Sequence, residues 1–91
     1  MITVTEGACK ELKRILFDKV DWPGAGLRLI DRGQGILGLG IDIELKGDQV
    51  VKYEGTKVLI IESKLAANLV DITLDVDDTP EGAELVISSK L

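Results

Sequence analysis

The sequence contains few of the residues that build common catalytic and metal sites. Its 91 residues include no histidine, one cysteine, two prolines and one each of Trp, Tyr and Phe. The absence of histidine excludes a Ser-His-Asp triad, a Cys-His dyad and any imidazole metal ligand. A single cysteine excludes an intramolecular disulfide, a zinc ribbon and a self-contained cysteinyl iron–sulfur site. Because no acid/base or nucleophile constellation is recognisable in the sequence, we expect that the protein is not an enzyme.

Charge and hydropathy restrict the partners and the compartment. The chain has 16 acidic and 11 basic residues, for a formal net charge of −5, whereas binding to nucleic acid needs an excess of Lys and Arg. No apolar run approaches the roughly 18–20 residues that span a bilayer. Residues 2–5 show no basic segment of the kind that opens a signal peptide. We therefore expect a cytoplasmic protein that contacts neither nucleic acid nor membrane.

The length predicts one domain over residues 1–91. A domain of this size buries only about 60–65% of the surface that its unfolded chain exposes. Its core must be aliphatic and well packed, and a partner subunit can complete it. We therefore expect a homo-oligomer or a complex with a protein partner.

Hydrophobic spacing predicts seven short strands and two helices in the order β-α-β-β-β-β-α-β-β. The strands are predicted at residues 2–5, 27–31, 39–45, 49–53, 57–61, 72–76 and 83–88, and the helices at 6–18 and 64–70. Thr5 and Ser63 are predicted to cap the two helices. Without regular βαβ alternation, the order favours an α+β domain with mixed or antiparallel sheets.

A glycine-rich segment precedes the clearest predicted strand. Glycine occupies positions 33, 35, 38 and 40, but the Gly-Lys-Ser/Thr of a phosphate-binding P-loop is missing. The segment can cradle an anion through its backbone, or Gly38 and Gly40 can mark a bulge or close packing in a sheet. Apolar residues at a glycine-rich tip would be exposed on a monomer. The candidate interaction loop is therefore the run Gly35, Ile36, Leu37 and Gly38.

The lone cysteine and one strand arginine allow two interpretations each. Cys9 lies beside the apolar face of the first helix, where a free cysteine behaves as a small hydrophobic residue. The alternative is a reactive thiol, or a metal ligand shared between subunits. Arg28 could bind an anion, but a cross-strand ion pair with Asp42 or Glu44 is favoured.

Carboxylates recur at two places, and neither forms a recognisable site. The group near the C-terminus comprises Asp71, Asp75, Asp77, Asp78 and Glu81. Carboxylate oxygens suit calcium or magnesium, but the spacing does not fit an EF-hand loop, which favours a solvated acidic turn. Asp42 and Glu44 could form an acid/base pair, but they share one face of a strand and are interpreted as its exposed face.

Several segments together resemble the HesB/IscA-like domain, the A-type carriers of iron–sulfur cluster assembly. They are Ile-Thr-Val-Thr-Glu-Gly-Ala at 2–8, Gly-Leu-Arg-Leu at 26–29, the glycine-rich loop entering 39–45, Gly-Thr-Lys-Val-Leu-Ile-Ile at 55–61, and 63–76. Their order and separations agree with the family over nearly the whole chain. The resemblance implies a small β-sandwich-like α+β domain, usually a dimer or tetramer, that is related to iron–sulfur cluster biogenesis.

The family's ligand positions are not matched. Its first ligand cysteine lies in a Gly-Cys-Ser-Gly loop, and aligning 35–38 with that loop places Ile36 at the cysteine. Its Cys-Gly-Cys motif follows the last strand, whereas this sequence reaches Leu91 without that motif, and Cys9 matches no family ligand. We therefore predict a non-enzymatic binding or interaction protein that holds no cofactor or cluster by the family's mechanism. The alternative is iron or a cluster bound by Cys9 from two or more subunits.

Overall fold

Two β-sheets and two helices make up the protein, whose computed structural model describes residues 2–19, 24–33 and 37–89. In chain order the elements are β1 (Thr3–Val4), α1 (Glu6–Lys19), β2 (Ala25–Asp31), β3 (Leu37–Ile43), β4 (Gln49–Tyr53), β5 (Thr56–Ile61), α2 (Ser63–Asn68), β6 (Ile72–Thr79) and β7 (Gly82–Ser89). This order confirms the predicted α+β class. No helix in these ranges is long and apolar enough to cross a membrane.

The strands form a three-stranded sheet in the order β1-β6-β7 and a four-stranded sheet in the order β3-β2-β5-β4. The pairs β1–β6 and β2–β5 are parallel, and the other three pairs are antiparallel. The sheets are therefore mixed, as the element order predicts. The β2–β3 ladder is regular and runs from Ala25 opposite Ile43 to Asp31 opposite Leu37.

One aliphatic core joins the two sheets to α1. Leu12 of α1 and Leu59 of β5 are fully buried, and Leu74 of β6 lies in the same cluster. The predicted apolar face of the first helix is confirmed, because Ala8, Leu12 and Leu16 are buried while Ile15 packs partly against them. These three buried residues follow one another at intervals of four positions, which places them on one face of the helix.

Thr5 caps α1 and also ties the helix to β6. The backbone N–H of Ala8 donates to Thr5 Oγ1 at 3.2 Å, which confirms the predicted cap. The Thr5 hydroxyl in turn donates to Asp75 Oδ1 at 2.8 Å, and this bond is the main reason that the pKa of Asp75 is lowered.

We expect Thr5→Ala to lower the free energy of unfolding by about 1–2 kcal/mol, because it leaves a first-turn N–H without its acceptor. Urea denaturation at neutral pH measures the change. Thr5→Ser is the matched control, since it keeps the hydroxyl and should retain most of the stability. Equal midpoints for Thr5→Ala and the wild type would show that the cap contributes nothing.

Some boundaries differ from those predicted. The structure starts and ends β3 two residues earlier than expected. Ser63 does not cap the second helix: it is the first helical residue, and Glu62 occupies the N-cap position without a side-chain cap bond. The helix begins with the backbone N–H of Ala66 donating to the Glu62 carbonyl at 2.8 Å. Both β6 and β7 are longer than predicted. The turn that joins them therefore comprises Pro80 and Glu81.

Candidate functional site

The candidate interaction loop leads directly into β3. Gly35 and Ile36 lie outside the described residues, whereas Leu37 and Gly38 are the first two residues of the strand. Leu37 is half-buried and packs against the core cluster. The loop therefore ends at the edge of the four-stranded sheet, and its interaction role stays a prediction.

A shallow cleft of about 280 Å³ opens beside Leu37. It lies between the β2–β3 end of one sheet, α2 and the β6–β7 pair of the other. Its lining comprises Asp31, Gly33, Leu37, Leu65, Asn68, Leu69, Ile72 and Ile87. Most of these side chains are aliphatic, with one carboxylate and one amide among them.

A second cleft of about 260 Å³ continues the first along β3 and shares Leu37 and Ile87 with it. Its lining comprises Leu29, Leu37, Gly38, Leu39, Leu74, Leu85 and Ile87. We call the two together the sheet cleft. A surface of this composition favours contact with another apolar surface, since it offers few groups that could orient a charged ligand.

Gly38 and Gly40 lie against the side chains of Arg32, the residue that follows β2, and of Ile30 on β2. A Cβ at Gly38 would collide with the Arg32 guanidinium, and a Cβ at Gly40 would lie 2.8 Å from Ile30 Cδ1. The ladder between β2 and β3 shows no bulge. Close packing within the sheet, one of the alternatives for these glycines, is therefore what the structure shows.

Cys9 is a core residue. It lies on α1 with 6% of its surface exposed, among the aliphatic side chains of the central cluster. Burial raises the pKa of the Cys9 thiol, and the nearby carboxylate of Glu6 raises it further. The thiol is therefore protonated at neutral pH, and Cys9 is absent from the described lining of the sheet cleft.

Arg28 is the centre of an ion-pair network on the other face of β2 and β3. Its Nε donates to Asp42 Oδ2 at 2.7 Å, and its Nη2 donates to Asp48 Oδ2 at 2.6 Å and to the Ile43 carbonyl at 3.1 Å. Only 15% of the Arg28 side chain and 5% of the Asp48 side chain are exposed. The bond to Asp48 is the main reason that the pKa of Arg28 is raised.

This network confirms the expected pair with Asp42 and leaves the guanidinium with internal partners. Glu44 instead pairs with Lys57, with 3.1 Å between Oε1 and Nζ. Asp48 was not expected at the site, because it follows a turn that reverses the chain. One signal was present: an Asp directly after Lys46 and Gly47 can bond back to the turn, and Asp48 Oδ2 accepts the Leu45 N–H at 2.8 Å.

The remaining carboxylates form no site in the described part of the chain. Asp71, Asp77, Asp78 and Glu81 are exposed, which is consistent with a solvated acidic turn. Within residues 2–19, 24–33 and 37–89, no three Cys, Asp or Glu side chains are grouped so that they could hold a metal ion.

The comparisons with known proteins support one fold. No family model and no curated protein matches the sequence. A crystal structure of IscA with a [2Fe–2S] cluster matches at 17% identity and a TM-score of 0.62, covering 98% of this chain and 85% of that chain. A crystal structure of SufA from Escherichia coli, which is involved in biosynthesis of iron–sulfur clusters, matches at 22% identity and a TM-score of 0.66. The match covers 97% of this chain and 84% of that chain.

The protein has the HesB/IscA-like fold. A solution NMR structure of a protein from Aquifex aeolicus also matches, at 22% identity and a TM-score of 0.66, covering 97% of this chain and 90% of that chain. The resemblance inferred from the sequence is thus confirmed for the fold over nearly the whole chain.

The described residues of this chain offer a single thiol to an iron–sulfur cluster. Such clusters need thiolate ligands, and the one cysteine of the sequence is buried on α1. The sheet cleft beside the candidate loop presents Leu and Ile side chains instead. The contribution of Leu65, Leu69 and Ile87 to this cleft was not predicted from the sequence.

Proposed function

We propose that the protein is a non-enzymatic binding or interaction protein of iron–sulfur cluster biogenesis that acts in the cytoplasm and carries no cluster by the mechanism of the A-type carriers. The observation that carries this proposal is the aliphatic sheet cleft beside the loop where the family places a ligand cysteine. The likeness to IscA and SufA supports the connection to cluster biogenesis.

The buried position of Cys9 supports the absence of a cluster. A cluster shared through Cys9 would require the thiol to reach the surface of α1 and to lose its proton. Burial opposes both, because it removes the thiol from solvent and raises its pKa. Cluster binding would therefore require α1 to leave the core.

The sheet cleft supports the interaction role. Leu37 and Ile87 lie where its two halves meet, and 44% of the Ile87 surface is exposed. Apolar surface at such a position is stabilised when a protein partner covers it. On this proposal the partner is a protein component of cluster assembly, which contacts the cleft and the adjoining loop.

Anaerobic reconstitution with ferrous iron, sulfide and a thiol reductant tests the proposal. We expect the purified protein to show no visible cluster absorbance after desalting and less than about 0.1 iron per chain, because no set of thiolates is available. IscA, whose crystal structure contains a [2Fe–2S] cluster, is treated in parallel as the positive control for the procedure. Cys9→Ala should give the same result as the wild type.

A stoichiometric cluster on the wild type would contradict the proposal. If Cys9→Ala then bound no cluster, the alternative, in which subunits share a cluster through Cys9, would replace the proposal. Circular dichroism of both proteins confirms that the comparison is made between folded chains.

A further inference from the structure

A charged pocket continues the sheet cleft at the end that lies beside α2. Its volume is about 330 Å³, and its lining comprises Ile30, Asp31, Glu62, Lys64, Leu65 and Asn68. Asp31, Leu65 and Asn68 also line the sheet cleft itself. We call this pocket the cleft mouth. The aliphatic surface and the charged surface are therefore parts of one continuous depression.

The alternation of side chains along β2 places Asp31 at the cleft mouth. Leu27 and Leu29 of this strand belong to the core and are 3% and 5% exposed. Side chains two positions apart lie on the same face of a strand, so Asp31 continues their row. Asp31 is exposed because the row there reaches the end of the strand. A carboxylate thus stands at the end of a line of core leucines.

The cleft mouth carries a net negative charge. Asp31 and Glu62 contribute two carboxylates to it, and Lys64 contributes one ammonium group. Asp31 Oδ1 accepts the backbone N–H of Gly33 at 2.8 Å. Within the described ranges, neither carboxylate forms an ion pair with a Lys or Arg side chain. Both can therefore pair with a cation that a ligand brings, and the net charge of −5 on the whole chain favours the approach of such a ligand.

An occupant of this depression has to match both of its parts. A metal ion alone is a poor match, because the described residues contain no group of three metal-binding side chains. A wholly apolar ligand would take Asp31 out of water without giving it a partner, which is unfavourable. A ligand that combines aliphatic groups with a cation satisfies the leucines and the carboxylates together.

We propose that the sheet cleft and its mouth bind a segment of a partner protein in which large aliphatic side chains lie next to a lysine or arginine. This inference rests on the proposed function, which assigns the cleft to a protein partner, and it specifies the chemistry of that partner. The aliphatic side chains fill the two halves of the cleft, which meet at Leu37 and Ile87. The cation lies at the mouth with Asp31 and Glu62. Burial of the aliphatic groups supplies most of the affinity, and the charge determines which segments are accepted.

Peptide titrations followed by NMR test this proposal with the full chain. The probe is Leu-Ala-Leu-Ala-Lys with both ends blocked, used in this order and in reverse, and the comparison peptides have Glu or Gln in place of Lys. We expect the amide signals of Leu37, Ile72 and Ile87 to shift, with a dissociation constant of about 1 mM or below for the better Lys peptide. At low salt it should bind roughly threefold or more tightly than its Glu counterpart, as is typical of exposed charges.

Removing the two carboxylates tests the cleft mouth. Asp31→Asn combined with Glu62→Gln keeps the shapes of both side chains, and it should abolish the preference for Lys over Glu while leaving the affinity for the Gln peptide unchanged. Asp77→Asn combined with Asp78→Asn is the matched control. These two residues are exposed on β6 and absent from the described lining of the cleft and its mouth, and their substitution changes the net charge equally. The control should keep the preference.

Two neighbouring residues of β7 test the aliphatic part. Ile87 and Val86 are 44% and 37% exposed and point to opposite faces of the strand. Ile87→Asn should weaken binding of every peptide by about fivefold or more, because it removes apolar surface from the middle of the cleft. Val86→Asn should leave the affinities unchanged.

The outcomes separate this proposal from the function on which it rests. Equal binding of the Lys and Glu peptides would overturn the proposed partner chemistry and leave the cleft as an interaction surface. Binding of no peptide, or signals of the cleft that shift with protein concentration alone because a second copy covers it, would also overturn the proposal. If a variant does not fold, the wild type decides: raising the salt from about 20 to 500 mM should remove the preference for Lys. The reconstitution result is independent of all these measurements.

Discussion

Leu59→Ala is expected to lower the free energy of unfolding by about 3 kcal/mol, a large part of the roughly 5–10 kcal/mol available to a domain of this size. Leu59 is fully buried at the centre of the four-stranded sheet. It lies opposite Leu27 of the parallel neighbour and Val51 of the antiparallel neighbour. Removing its three terminal carbons leaves a cavity that two fixed strands cannot close.

Thermal and urea unfolding measure this effect. The melting temperature should fall by roughly 10–25 °C. Val70→Ala removes a comparable apolar group from a position that is 56% exposed, and its change should stay within about 0.5 kcal/mol. If both variants lost the same stability, Leu59 would not be a central core residue.

Asp48→Asn is expected to lower the melting temperature by about 10 °C at neutral pH. The substitution removes the charge that faces the Arg28 guanidinium, whose side chain is 15% exposed. Arg28 then keeps Asp42 as its one charged partner, and the turn loses a strong acceptor for the Leu45 N–H. A guanidinium that is mostly removed from water and partly unpaired destabilises the folded state.

The same network predicts a dependence on pH. Arg28 holds the pKa of the Asp48 carboxyl below its ordinary value, mainly through their hydrogen bond. A carboxyl with a lowered folded-state pKa stabilises the fold fully above its unfolded pKa of about 3.9, and this stabilisation is lost as the pH falls through the folded value. The difference in melting temperature between the wild type and Asp48→Asn should therefore become smaller below about pH 4.

Melting curves from pH 7 down to pH 2.5 provide the measurement. Glu44→Gln is the matched control, because its pair with Lys57 is more exposed, with 45% and 23% of the two side chains accessible. Its melting temperature should change by a few degrees at most. If the difference in melting temperature between the wild type and Asp48→Asn stayed constant down to pH 2.5, the charge of Asp48 would not be what stabilises Arg28.

The element order could be predicted from the sequence because alternation and helical spacing are local signals. The start of β3 was placed two residues late for a physical reason. Gly38 and Gly40 lower the strand propensity of the segment, but they lie against the side chains of Ile30 on β2 and of Arg32, the residue that follows β2. Which side chains contact these glycines depends on which strands pair, and the residues next to the glycines in the sequence do not reveal that pairing.

The candidate site could be predicted in part. The residues of the loop pointed to an exposed apolar tip, and Leu37 does border an apolar cleft. The other side of that cleft comes from α2 and β7, far along the chain, so their contribution depends on how the two sheets meet. Asp48 was missed for a related reason, because the turn that returns it to Arg28 brings together residues 20 positions apart.

The bond between Thr5 and Asp75 bears on how the chain reaches its native state. It joins residues 70 positions apart, next to the parallel pairing of β1 with β6. Closing so long a loop lowers the conformational entropy of the chain before the contact can stabilise it. Folds with many contacts between residues distant in sequence therefore form slowly. The bond from the Thr5 hydroxyl to Asp75 cannot form until β6 has been synthesised. Fragments that end before β6 should therefore remain largely unstructured, and the chain should fold as a single cooperative unit.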